Sequence, residues 1–145
     1  MRILVTALLL AGAAVPASAE EWFYVADGGV DIVLADADSI RPAGDALAVL
    51  GFFSSYDPID DAGTIWYLIS HFEIRCSGAS YRVRQTDSYD AEHRLASSAT
   101  ESEDWAAIPA DSYVESLRAF ACDNVRAGAV GNPFDAADAY FEEDW

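Results

Sequence analysis

The segment Met1–Ala19 constrains this chain more than any other, because it decides the compartment in which the rest must fold. Arg2 precedes an apolar run from Ile3 to Ala11, and Gly12, Pro16 and the small residues Ala17-Ser18-Ala19 follow. That is the order of a secretory signal peptide, with cleavage expected between Ala19 and Glu20. The apolar stretch is shorter than the about 20 residues a spanning helix requires, and no later stretch approaches that length. The mature chain is therefore expected to be periplasmic or secreted, with no membrane span.

An oxidising destination gives the cysteines their reading. Cys76 and Cys122 are the only two, and an even pair outside the cytosol is most simply a disulfide. Closing so long a loop removes unfolded-state entropy worth about 4 kcal/mol in the chain-entropy account. The other reading, two buried free thiols, requires an export route that avoids thiol oxidation, and nothing in the sequence points to one.

Residues 20–145 are of ordinary size for one domain with one core. Against 25 acidic residues stand 8 basic ones, every one an arginine, for a net charge of −17 at pH 7. Nucleic acid needs clustered positive charge and is not an expected partner. An anionic lipid surface is repelled for the same reason. The plainest role of the acidity is solubility.

Glu21–Ala26 is aromatic and β-branched, Asp27-Gly28-Gly29 marks a turn, and Val30–Ala35 is a second apolar run, so a hairpin is expected. Asp36-Ala37-Asp38-Ser39-Ile40-Arg41 has two acids and a serine suited to capping a single helical turn, and Pro42 with Gly44-Asp45 marks another turn. Ala46–Tyr56 is apolar at nearly every position (Leu47, Val49, Leu50, Phe52, Phe53), the pattern of a strand covered on both faces. Asp57–Gly63 combines three acids with Pro58 and Gly63 and reads as a long hairpin loop. Thr64–Cys76 is a long strand whose second half alternates, with Phe72, Ile74 and Cys76 on one face and Glu73 and Arg75 on the other. Tyr81-Arg82-Val83-Arg84 alternates again, so pairing would set Glu73 and Arg75 near Arg82 and Arg84 on one solvent face. A weaker strand is expected around Arg94–Ala99.

Ser112 stands three residues before Glu115, the spacing of a capping box. Tyr113, Val114, Leu117, Phe120 and Ala121 then recur at helical spacing, which predicts an amphipathic helix over Ser112–Asp123 with Cys122 in its last turn. A Cys76–Cys122 bond would pin this helix to the end of the longest strand. Residues 127–145 carry five acids and no base and read as an acidic tail, or as a short helix capped at Asn132-Pro133 with Phe134, Ala137 and Phe141 on one side.

The order of these features resembles the surface-adhesin protein E-like family of small exported bacterial domains. The residues carrying the resemblance are Trp22, the Asp36–Arg41 segment with Gly44, the Cys76 strand with Tyr81-Arg82, Trp105, Pro109-Ala110-Asp111-Ser112, and Leu117 with Cys122. The resemblance implies an α+β fold: a curved, mainly antiparallel sheet of about six strands, with one C-terminal helix packed on it through a strand-to-helix disulfide. It also implies binding rather than catalysis. The expected layout is signal peptide 1–19, adhesin-like domain 20–126 and tail or short helix 127–145. The namesake adhesins look lipid-anchored, but Ala17-Ser18-Ala19-Glu20 has no cysteine to accept a lipid, so no lipid anchor is expected. Attachment to host matrix is associated with basic segments in that family, and this acidic chain is not expected to share it.

Catalytic candidates are thin. His71 in a strand is expected to be structural and His93 in a polar turn solvated, and no serine stands in a Gly-x-Ser-x-Gly turn. No catalytic residue, metal or cofactor is expected. The competing class is a small periplasmic hydrolase with a His-centred site, which a cleft holding His71 beside a carboxylate and a serine would favour. Asp57, Asp60 and Asp61, or Asp36 and Asp38, are oxygen ligands of the kind calcium takes, but without calcium-loop spacing. The two-sided apolar strand Ala46–Phe53 further suggests a face covered by a protein partner or a second copy in a homodimer.

Overall fold

In the computed structural model, residues 21–101 and 104–143 are described, and the leader with its expected Ala19/Glu20 cleavage site lies outside them. Six strands run as a meander: β1 (Trp22–Asp27), β2 (Asp31–Ala43), β3 (Ala46–Ser55), β4 (Tyr67–Arg75), β5 (Ser80–Tyr89) and β6 (Leu95–Thr100). Two short strands join the sheet, β7 (Ala106–Ala107) on β5 and β8 (Ala129–Val130) on β1. The order is β6-β5-β4-β3-β2-β1-β8 with every described pairing antiparallel, so the expected sheet is present as an open sheet with two short additions. Gly29 and Gly44 take φ of +81° and +66° in the first two turns, a region glycine enters without steric cost.

One local expectation fails. Asp36–Arg41 is not a helical turn but part of β2, where the register with β3 slips between Asp36 and Arg41. Short polar side chains replace the missing ladder bonds here instead of capping a helix. The Ser39 hydroxyl donates to the Asp36 carbonyl at 2.7 Å and accepts the Leu50 amide at 2.8 Å, while Asp36 Oδ1 accepts the Asp38 amide at 2.9 Å.

The helix α1 (Tyr113–Cys122) forms where the spacing predicts it. Ser112 caps it by accepting the Glu115 amide, and Glu115 returns the favour one residue earlier than a capping box requires, on the Asp111 amide at 2.8 Å. Val114, Leu117 and Phe120 pack on Ala35, Val49, Phe72 and Ile74 from one face of the sheet. Gly51 makes this approach possible: a Cβ there would lie 2.9 Å from a ring carbon of Phe72 and 3.5 Å from Leu117. The Cys76–Cys122 disulfide, with Cα atoms 5.7 Å apart, ties the end of β4 to the last turn of α1.

Residues after 127 end in a second helix, α2 (Pro133–Glu143), with Asn132 Oδ1 accepting the Phe134 and Asp135 amides. Of the two readings of this segment, the helix holds. It lies on the opposite face, where Phe134, Ala137 and Phe141 join Trp22, Ile32, Leu34, Phe52 and Tyr67 in a second core. The two-sided apolar character of β3 is thus met within one chain, Val49 under α1 and Phe52 under α2.

Candidate functional site

The face that carries α2 is covered at one end only. Pairing places Arg41, Ala48, Glu73 and Arg82 in one row across β2 to β5, with Leu50, His71 and Gln85 in the next. Two of the sheet's register slips fall between these two rows: β2 slips between Asp36 and Arg41, and β5 carries an extra residue, Arg84, opposite the step from His71 to Phe72. Bulges bend a strand and redirect side chains, and they recur beside binding sites. Here they frame a cavity of about 280 Å³ whose lining includes Ser39, Arg41, Leu50, His71, Glu73 and Arg84.

The charges around this opening fall into two sets. Arg82 Nε donates to Glu73 at 2.6 Å and Arg75 Nε to Asp45 at 2.8 Å, and the Trp105 ring lies 4.6 Å and 3.8 Å from their respective guanidinium carbons. That arrangement combines ion pairing with cation–π attraction and holds two arginines in fixed positions. The expected proximity of Glu73 and Arg82 is therefore present. Arg41 and Arg84 are exposed, and neither guanidinium has a hydrogen-bond or ion-pair partner among the described residues. Four of the chain's eight arginines stand on this one face of an otherwise acidic molecule.

His71 lines the cavity and its Nε2 stands 3.7 Å from Asp87 Oδ2. Burial raises the Asp87 carboxyl, but hydrogen bonds from Ser98 and Gln85 and the neighbouring His71 outweigh it and leave Asp87 below the usual carboxylate range. The cleft thus brings His71, carboxylates and Ser39 together, yet both hydrogen-bonding directions of the Ser39 hydroxyl are taken by backbone. His93, expected in solvent, is instead half-buried: its ring stacks on Phe134 at 4.9 Å and Nε2 donates to Asp138 at 3.0 Å. Tyr67 donates to the other oxygen of Asp138, and its burial together with this bond raises the phenol above its usual range. The aromatic contacts account for this burial, since an imidazole beside Phe134 and Tyr67 is worth more in contact than in water.

Two of the five acids with calcium-type oxygens, Asp36 and Asp60, accept backbone amides. Asp60 accepts the Ile65 and Thr64 amides and the Thr64 hydroxyl, which hold it below the usual range. Among the described residues no three His, Cys, Asp or Glu side chains converge as a metal site would require. Further cavities include one of about 430 Å³ beside Trp66 and Phe141 and one of about 220 Å³ beneath Tyr113.

The fold is a disulfide-braced antiparallel sheet with a helix packed on each face. The surface-adhesin protein E family matches residues 22–123, and the chain belongs to that family. The match ends at Asp123, so α2 lies beyond it. No curated protein matches the chain. Membership points to an exported protein that binds other molecules rather than transforming them. No helix among the described residues is long and apolar enough to cross a membrane.

Proposed function

We infer that this is a non-catalytic binding protein of the bacterial envelope, released from a cleaved signal peptide without a lipid anchor, and that it takes its ligand at the arginine-framed opening. The observation that carries the reading is the pair of register slips at one level of the sheet, which open a cavity exactly where α2 stops covering the face. Under α2 the same face is packed with the chain's own aromatics, and the larger cavity there, beside Trp66 and Phe141, has no arginine in its lining.

The test is steric. Ala48 sits on the floor between Arg41 and Glu73, so Ala48→Trp fills the opening without changing a charge. Immobilised wild-type protein should retain a component of envelope extract that the Ala48→Trp variant does not. Equal retention by both would place binding elsewhere.

The hydrolase reading has the cleft it asked for but not the nucleophile, because Ser39 braces the β2 slip. Turnover of ester or phosphoester substrates that vanishes in His71→Ala would revive it.

A further inference from the structure

Resting on that reading, we propose that the opening binds a small oxyanion, a carboxylate or phosphate on a small molecule, gripped between the guanidinium groups of Arg41 and Arg84. The first argument is the division of labour among the arginines. Arg75 and Arg82 are spent on Asp45, Glu73 and the Trp105 ring, whereas Arg41 and Arg84 are left with no described side-chain partner. A guanidinium presents a planar fork of donors that fits a carboxylate or phosphate edge.

The second argument is geometric. Arg41 on β2 and Arg84 on β5 are three strand spacings apart, about 14 Å between backbones, with Ala48, Leu50 and His71 as the floor between them. Two long side chains rising from opposite walls meet over that floor only on something placed between them. The carboxylate in the lining, Glu73, is neutralised by Arg82 at 2.6 Å, and Asp87, which stands outside the lining beside His71, is held by Ser98 and Gln85. The cavity therefore offers its positive charge to a newcomer.

The third argument selects the size of the ligand. A chain carrying −17 repels any extended polyanion whose charge would face the rest of its surface. A small anion seated in about 280 Å³ meets only the local cations, and at physiological salt more distant charges are screened beyond about 8 Å.

Isothermal titration of the purified full chain with sodium phosphate, and separately with citrate, tests this. One saturable site for either probe is expected, weakened at least tenfold in Arg41→Ala/Arg84→Ala and unchanged in Arg118→Ala, whose side chain pairs with Asp123 next to α1. The tighter of the two probes identifies the source of the oxyanion. Arg41→Lys/Arg84→Lys keeps the charge and loses the fork, and should fall between wild type and the alanine pair. Both arginines are exposed, so the melting temperature of these variants should not move. No saturable heat with either probe, or equal affinity in the alanine pair, overturns the inference. If Ala48→Trp nonetheless blocks capture from envelope extract, the binding reading stands and only the oxyanion falls.

Discussion

Phe134→Ala is the sharpest probe of how the second face of the sheet is closed. The Phe134 ring touches four others, with centroids 5.2 Å from Phe52, 5.2 Å from Tyr67, 5.1 Å from Tyr89 and 4.9 Å from His93. Truncating a core phenylalanine costs about 3–5 kcal/mol, and the half-buried position of Phe134 places it at the lower end, about 3 kcal/mol. For a chain of this size that corresponds to a fall in Tm of about 12 °C. Urea unfolding followed by far-UV circular dichroism should show the midpoint moving down with the slope unchanged. Val125→Ala, at a side chain 58% exposed, serves as the control and should stay within about 0.5 kcal/mol of wild type. A loss below about 1 kcal/mol for Phe134→Ala would mean that α2 does not pack on this face, and the two-sided core would have to be abandoned.

Other expectations follow from the same packing and charges. Gly51→Ala introduces a Cβ 2.9 Å from Phe72 in the middle of the central strand and should destabilise by about 1–3 kcal/mol, measured by the same urea titration. Cys76→Ser/Cys122→Ser should lower stability by up to about 4 kcal/mol while leaving the circular dichroism spectrum of the folded protein unchanged. Asp27, Asp60 and Asp87 all lie below their usual range: Asp27 through the Tyr140 hydroxyl and the Gly29 amide, and Asp60 through the Ile65 amide. In Asp87, hydrogen bonds from Ser98 and Gln85 overcome burial. Depressed carboxyls stabilise the fold above their unfolded value of 3.8 and lose that contribution as pH falls through the folded value. Thermal melts should therefore stay level down to about pH 4 and decline below it. Asp60→Asn should blunt the decline, and a melt that rises on acidification would contradict the assignment.

The sheet was readable because its strands announce themselves by alternation and by turn residues: Gly28-Gly29, Gly44-Asp45 and the Asp57–Gly63 loop all separate strands where expected. The α1 boundaries were legible from Ser112 and the 3.6-residue recurrence that follows. The slip at Asp36–Arg41 was not, since an Asp-rich segment with a serine signals backbone capping equally well in a helix or in a bulged strand. Which one forms depends on β3 lying alongside to offer the Leu50 amide, a contact 11 residues away. The helical option for 127–145 was visible in Phe134, Ala137 and Phe141, but its docking depended on an apolar face assembled from four strands. The candidate site was half legible. Alternation put Glu73, Arg75, Arg82 and Arg84 on one face, whereas Arg41 joins them only because β2 slips, and Trp105 only because β7 brings the chain back beside β5.

The account stands on an exported chain whose strand β4 and helix α1 are joined covalently outside the cytosol. The intact mass of the protein recovered from the envelope fraction, alkylated without reductant, tests both parts at once. The account predicts a chain beginning at Glu20, two hydrogens lighter than its reduced form and carrying no alkyl group. A chain that keeps residues 1–19, or one alkylated at Cys76 and Cys122, would contradict it.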